Sequence, residues 1–165
     1  MESMETIAKM REDLGVGKSF DMVCRDIIIG DRRAALFFID GFIKDEVFEK
    51  IMEFLYKVTP KELRNIPNME IFSQLKMPYV EVQYTKDIET AETEILCGVS
   101  ALVIDGVTGI LLIDTRTYPM RGVSEPESDR TLRGAHDGFV ETLVFNTAMI
   151  RRRIRDKNLV FEHLQ

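Results

Sequence analysis

The chain has 165 residues and a formal net charge of −6 at pH 7, with 45% hydrophobic and 30% charged residues. This length and composition suit one compact domain or two small subdomains, and they argue against a disordered or low-complexity chain. The excess of acidic residues argues against a nucleic-acid partner, because binding to phosphates needs a basic face.

The sequence carries no signal for membrane insertion or export. Its longest apolar runs, such as residues 34–39 and 109–113, are far shorter than the ~20 residues that span a bilayer. The acidic N-terminus lacks the basic region that begins a secretory signal. Cys24 and Cys97 do not have metal-ligand spacing. We favour two reduced thiols in a cytosolic core, and a disulfide between them stays open.

The first part of the chain predicts a helix, a β-hairpin and three further helices. Apolar periodicity and turn residues indicate these elements. In chain order they are a helix over 3–14 ended by Gly15 and Gly17, strands over 19–29 and 33–40, a helix from Asp45 that covers the hairpin, a short helix in the capping sequence Thr59-Pro60-Lys61-Glu62, and a weak helix over 69–75. Asp45 and Thr59 are the predicted N-caps of their helices.

The second part repeats the combination of strands and helices. In chain order its predicted elements are a strand over 79–85, a helix over 87–97, a hairpin of strands 99–104 and 110–116, a long helix over 137–155 and a strand over 159–164. We expect the α/β (α+β) class, with two small subdomains at 1–68 and 69–165. Each is expected to hold a mixed β-sheet whose hairpins pack against helices.

Catalytic patterns are weak in this sequence. The chain has two histidines, His136 and His163, and a triad of Ser128, His136 and Asp137 lacks the Gly-x-Ser-x-Gly turn of a hydrolase. We therefore predict no catalytic residues.

The run from Gly15 to Ser19 resembles a phosphate-binding loop, but Glu12 stands where the motif needs its first glycine. A helix precedes this run and a strand follows it, the reverse of the order that directs amide dipoles at phosphate. We interpret it as a glycine helix terminus.

Carboxylates at Asp105, Asp114 and on the helix over 87–97 lack the spacing of a calcium loop. We interpret them as solvated faces, and we predict no metal site and no cofactor.

Basic residues are concentrated in the last third of the chain. Arg116, Arg121, Arg130 and Arg133 alternate with acidic residues over 116–141. Guanidinium groups bind carboxylates through two parallel hydrogen bonds, so an ion-pair network that orders this segment and a solvated loop are both open. We predict that Arg133 pairs with a carboxylate of the same segment.

Three consecutive arginines, Arg151 to Arg153, end the long helix. One interpretation is that they cap its negative dipole end. The other is that they hold neighbouring elements, another subunit or anionic lipid headgroups, because they point in three directions. Both interpretations stay open.

Several motifs together resemble the GerA family of A-type spore-germination receptor subunits. They are Asp114-Thr-Arg-Thr-Tyr-Pro-Met-Arg121, Glu125-Pro126, Arg133-Gly-Ala-His-Asp-Gly-Phe-Val-Glu141, Asn146 and Ile150-Arg-Arg-Arg-Ile-Arg155. The opening Leu14-Gly-Val-Gly-Lys-Ser-Phe-Asp21, the pair Tyr118-Pro119 and Arg153-Ile-Arg-Asp156 resemble the SpoVAF branch most closely.

The resemblance implies a non-catalytic domain on the cytosolic side of the spore inner membrane, with a membrane domain beyond residue 165. It implies a role in assembly, partner contact or gating of a germination ion channel, with other germination subunits and further copies of the protein as partners. The alternative is a sensing module that binds a small polar molecule between two subdomains. The implied structural or interaction residues are Arg116, Pro119, Arg121, Glu125, Pro126, Arg133, Gly134, Asp137, Gly138, Phe139, Glu141, Asn146, Arg151, Arg152 and Arg153.

Overall fold

The structure, a computed structural model, describes residues 3–78, 81–117 and 139–162. Its strands are β1 (Met22–Ile29), β2 (Arg32–Ile39), β3 (Val82–Thr85), β4 (Ser100–Ile104) and β5 (Ile110–Ile113). Its helices are α1 (Ser3–Asp13), α2 (Asp45–Lys57), α3 (Pro60–Leu63), α4 (Met69–Lys76), α5 (Ile88–Leu96) and α6 (Leu143–Arg153). In the described residues, no helix has both the length and the apolar character needed to span a bilayer.

The strands form a single antiparallel sheet in the order β1-β2-β4-β5-β3. The predicted mixture of strands and helices is confirmed, but the two hairpins share this sheet and do not form one mixed sheet each. The pairing of β2 with β4 joins them, from Ala34 opposite Ile104 to Phe37 opposite Ala101. Both strands are apolar on both faces and therefore favour the centre of a covered sheet. The division at residues 68 and 69 stays a prediction.

Helices cover both faces of the sheet. Side chains of α1 and α5 pack on one face against Phe37, Val103 and Leu112, among others. Side chains of α2, α3 and α4 pack on the other face against Leu36 and Leu111. Successive strand residues point to opposite faces, so neighbours such as Leu36 and Phe37 belong to different cores. The result is a three-layer arrangement in which β2, β4 and β5 are buried on both sides.

The predicted helices and strands of residues 3–117 lie close to their expected positions. The capping box at Thr59 is present: its side chain accepts a hydrogen bond from the Glu62 backbone, and the Glu62 carboxylate accepts one from the Thr59 backbone. Asp45 is not an N-cap, since it is the first residue of α2 and Lys44 occupies the cap position. The N–H of Lys44 donates to the Thr115 carbonyl, which holds Lys44 in an extended conformation outside the helix.

The C-terminal elements differ more from the prediction. Residues 137 and 138 lie outside the described residues, and α6 begins only at Leu143. The backbone of Val140 bonds the side-chain amide of Asn146, so it does not join the helical ladder. The strand predicted over 159–164 is absent over 159–162. There, the Leu159 carbonyl accepts a hydrogen bond from the Arg151 side chain, and the Phe161 N–H donates one to the Ser19 side chain. These two backbone groups are therefore not available for a strand ladder.

Candidate interaction site

Arg151 lies in the last turn of α6, and its side chain is only 1% exposed. Its guanidinium faces the carboxylate of Asp21, which directly precedes β1 and is equally buried. Nε donates to Oδ2 at 2.8 Å, and Nη2 donates to Oδ1 at 2.9 Å. Paired bonds of this kind fix the orientation of both groups and are stronger than bonds between neutral groups. Arg151 therefore fastens the end of α6 to the start of the sheet.

The same guanidinium binds the segment that follows α6. Nη1 donates to the carbonyl oxygen of Asp156 at 3.0 Å, and Nη2 donates to that of Leu159 at 2.8 Å. The centroid of the Phe161 ring lies 5.0 Å from the guanidinium carbon, within the range of a cation–π contact. We call residues 156–161 the tail segment. Arg151 thus joins α6, the start of β1 and the tail segment.

Ser19 completes this group of side chains. Its hydroxyl donates to the Asp21 carboxylate, and it accepts from the Phe161 N–H at 2.9 Å and from Arg151 Nη2 at 3.2 Å. We call Ser19, Asp21, Arg151 and Phe161 the Arg151 cluster. The Ser19 hydroxyl is fully engaged within the protein, which does not suit a phosphate loop. Gly15, at a φ of 65°, instead follows the end of α1, as expected for a glycine helix terminus.

A close contact with a glycine seats α6 on the domain. Gly41 follows β2 with a φ of +87°. A Cβ there would lie 2.9 Å from Val144 Cγ1 and 3.1 Å from Ala148 Cβ, so only glycine allows the helix to approach this closely. The next residue, Phe42, accepts a backbone hydrogen bond from Thr117 at 2.7 Å. Thr117 and α6 therefore both contact the loop that follows β2.

Arg116 forms an ion pair with a carboxylate close in sequence. Its Nε donates to Asp114 Oδ1 at 2.9 Å, and its backbone N–H donates to the same oxygen at 3.1 Å. The guanidinium lowers the pKa of Asp114 below its ordinary value. Both side chains are partly exposed, so the pair orders the exit from β5 more than it stabilises the protein.

The other implied residues that the structure describes have differing environments. Asn146 holds Val140 in a closed pair of bonds, accepting from its N–H at 2.8 Å and donating to its carbonyl at 2.6 Å. Phe139 is 70% exposed, and Glu141 is exposed. The remaining implied residues lie outside the described residues, and so do three residues weighed for catalysis and the predicted ion pair of Arg133. They are Pro119, Arg121, Glu125, Pro126, Arg133, Gly134, Asp137 and Gly138, with Ser128, His136 and His163.

Of the three consecutive arginines, only Arg151 is seen to hold neighbouring elements among the described residues. Arg152 and Arg153 are exposed because each helical residue turns by about 100°. Capping is supplied by another arginine, since Arg155 Nε donates to the Arg152 carbonyl at 3.3 Å. The helix end therefore combines one buried anchor with two outward cations.

A second tie joins the tail segment to the domain. Lys157 donates to Oε2 of Glu92 at 3.2 Å, and Glu92 is 4% exposed. Its Oε1 accepts no hydrogen bond from any described residue. Burial raises the pKa of Glu92 above its ordinary value, the bond from Lys157 opposes this rise, and the nearby carboxyl of Asp13 adds to it. Glu92 is therefore a buried carboxyl group with a hydrogen bond to only one of its two oxygens among the described residues.

Within residues 3–78, 81–117 and 139–162, no group of three or more His, Cys, Asp or Glu side chains is arranged to hold an ion. Cys24 is a free thiol, and burial raises its pKa to about 11. A thiol with so high a pKa is a weak nucleophile at neutral pH.

The partners of Arg151 were not identified from the sequence. Asp21 appears there only within a resembling motif, and Ser19 appears as part of a phosphate-loop lookalike. The one local signal is an acidic residue directly before β1. This signal does not indicate which cation pairs with the acid.

Comparison with known proteins gives a consistent family. A family model described as "Bacillus/Clostridium GerA spore germination protein" matches residues 8–165. Stage V sporulation protein AF of Bacillus subtilis is 32% identical over 88% of this chain and 29% of its own length. Spore germination protein KA of the same organism is 27% identical over 98% of this chain and 30% of its own length. The chain thus spans about a third of the length of these relatives.

A solved structure shares the fold. The crystal structure of the N-terminal domain of the A subunit of the Bacillus megaterium spore germinant receptor GerK3 matches 93% of this chain and 55% of its own chain. The TM-score is 0.66 at 20% sequence identity. None of the relatives named here is described as an enzyme. On the match to residues 8–165, the chain belongs to the GerA family of spore germination proteins.

Proposed function

We propose that this domain serves assembly, partner contact or gating in a germination ion channel, on the cytosolic side of the spore inner membrane. It acts without catalysis, through contacts with other germination subunits and with further copies of the protein. Relatives named as sporulation and germination proteins support the general setting.

The Arg151 cluster is the observation on which the proposal rests. Arg151 is buried, and its guanidinium bonds both Asp21 before β1 and the backbone of the tail segment, so the last turn of α6 is rigidly held. The rigid turn carries Arg152 and Arg153 on its exposed side. Because the backbone that carries them is already held, binding through these cations costs no further backbone ordering, which suits recognition of an acidic partner surface.

The tail segment would connect α6 to the membrane domain and so couple partner contact to gating. It is tied to the domain by Arg151 and by the Lys157–Glu92 pair. With the membrane domain that we expect beyond residue 165, a displacement of α6 by a partner acts directly on the connecting chain. Contact and gating then share one structural element.

Charge reversal of the exposed arginines tests the proposal in the full-length protein in spores. We expect Arg152→Glu with Arg153→Glu to reduce recovery of the assembled complex severalfold and to slow germination. The matched control is Lys61→Glu on α3 with Arg64→Glu directly after it. That helix contacts Gly30 at the turn of the first hairpin, at the opposite end of β2 from α6. Normal assembly and germination in the α6 variant would contradict the proposal.

Calorimetry separates this function from the alternative of a small-molecule sensor. The domain is titrated with amino acids, sugars and dipicolinate. The proposed function predicts no heat of binding for any of them, whereas a sensing module predicts a saturable heat for one.

A further inference from the structure

β1 forms one edge of the sheet, since β2 is its only strand partner in the described residues. β1 has eight residues, whereas β3 at the opposite edge has four. An edge strand presents backbone N–H and C=O groups that pair readily with another extended chain. The outer side of β1 is therefore the longer of the two strand edges in the described sheet.

A groove of about 790 Å³ lies beside β1, lined by residues of α1, β1 and the start of β2 and by Tyr56 near the end of α2. Three large apolar side chains line it and are unusually exposed: Ile28 at 63%, Tyr56 at 56% and Met4 at 39%. Apolar side chains that converge on one groove are typical of a binding surface, whereas single exposed ones are common everywhere. The apolar surface and the strand edge are thus adjacent.

The charges of the groove leave a positive excess. Arg11 of α1 pairs with Asp26 of β1, so these two side chains largely neutralise each other. Arg33 lies directly opposite Ile28 in the β1–β2 ladder and therefore on the same face of the sheet. Its guanidinium bonds no described residue. A partner that fills the groove should bind more tightly if it places a carboxylate beside the guanidinium of Arg33.

We propose that the outer edge of β1 binds an extended segment of another polypeptide as a sixth strand. The segment places apolar side chains on Ile28, Tyr56 and Met4 and an acidic side chain beside Arg33. A helix or a small apolar molecule would fill the groove but leave the backbone groups at the edge of β1 unpaired. A strand would contact the apolar side chains and also pair with this backbone. This inference rests on the proposed function of partner contact, and it identifies a surface distinct from α6.

A second copy of β1 fits this edge poorly. Two antiparallel copies related by a twofold axis place residues of the same face opposite each other. The registers that pair the longest part of the strand set Arg25 against Arg25 or Asp26 against Asp26. Like charges directly opposite each other destabilise a strand pair. The edge therefore discriminates against itself and favours a partner of different sequence.

A displayed library of random dodecapeptides, selected on this 165-residue chain, tests the proposal. We expect the enriched peptides to alternate apolar and polar residues and to contain Asp or Glu. Binding of one such peptide should slow hydrogen exchange of amides in residues 22–29. Arg33→Glu should weaken its Kd by about tenfold or more, because a charge-assisted hydrogen bond becomes a repulsion. Ile28→Asp, at an exposed position, should do the same.

Lys86→Glu provides the matched control, because Lys86 is exposed next to β3 at the other edge of the sheet. It should leave the Kd unchanged. The proposal is overturned if no peptide is enriched, if Arg33→Glu binds as well as the parent chain, or if Lys86→Glu is the variant that loses binding. Self-association of the chain that Ile28→Asp abolishes would also overturn it.

A variant with Arg153→Glu keeps the two proposals separate. It should bind the peptide normally even if it fails to assemble in spores. Peptide binding at β1 combined with normal assembly of the variant that carries both Arg152→Glu and Arg153→Glu would contradict the proposed function but not the strand site.

Discussion

Arg151 and Glu92 show how burial changes the effect of a charge. Arg151 has a bidentate carboxylate, two backbone carbonyls and an aromatic ring around it. Glu92 is nearly as buried but has one lysine and one oxygen without a partner. Burial removes hydration from both, so the surrounding bonds decide whether each charge is tolerated.

The Arg151–Asp21 pair should be strongly coupled. We expect Arg151→Ala or Asp21→Ala to lower the free energy of unfolding by about 3–5 kcal/mol, because each leaves an unpaired buried charge. The double variant should lose less than the sum of the two. Urea denaturation followed by circular dichroism gives the three values, with exposed Arg152→Ala as a control near 0–1 kcal/mol. Strict additivity would show that the pair does not interact.

Glu92 should destabilise the protein increasingly as pH rises. Its pKa is raised in the folded state, so the folded protein gains stability from protonation below the unfolded pKa and loses it as pH rises through the folded value. We expect Glu92→Gln to raise the free energy of unfolding, relative to the parent chain, more at pH 7 than near pH 5. Denaturation across this range measures the difference. Exposed Glu89→Gln is the control, and a pH-independent difference for Glu92→Gln would refute the expectation.

At the scale of elements, the features set by neighbouring residues were predicted, and the features set by distant contacts were not. The capping box at Thr59 and Glu62 was predicted because both partners lie within one turn. The late start of α6 was missed because it depends on a bond between Asn146 and Val140 outside the helical ladder. The missing strand after residue 158 has a similar cause, since side chains of distant elements bond its backbone.

The position of α6 should depend on Gly41. Gly41→Ala adds a methyl group within 3.1 Å of two α6 side chains and places it at a positive φ. We expect a loss of about 2–4 kcal/mol, with faster hydrogen exchange in α6. Gly17→Ala is the matched control, because its φ is +83° and nothing lies within 4 Å of the added Cβ. It should cost about 1 kcal/mol and leave exchange in α6 unchanged.

At the scale of the molecule, the sheet connects the two parts of the chain. Leu36 of β2 is fully buried in the same cluster as Leu102 of β4 and Leu111 of β5. Helices α2 and α4, which lie on either side of the predicted division between residues 68 and 69, both cover that cluster. Packing that crosses from one hairpin to the other favours a single cooperative unit.

The chain should unfold in one transition. We expect Leu36→Ala to cost about 2–5 kcal/mol and to destabilise β1 and β5 equally, because β2 supports both hairpins. Hydrogen exchange measured strand by strand tests this, with exposed Gln83→Ala on β3 as a control of small effect. Two separate transitions would instead support the predicted subdomains at 1–68 and 69–165.

The sequence alone determined the helices and strands of residues 3–117 and the resemblance to a family, because caps, turns and apolar periods act over a few neighbouring residues. It also placed the run from Arg151 to Arg153 among the implied interaction residues, but it did not show which of the three is the buried anchor. Only the tertiary structure decided that the hairpins share a sheet and that Arg151 meets Asp21, 130 residues away. Such pairings depend on which surfaces the folded chain brings together, and no local pattern of residues encodes that.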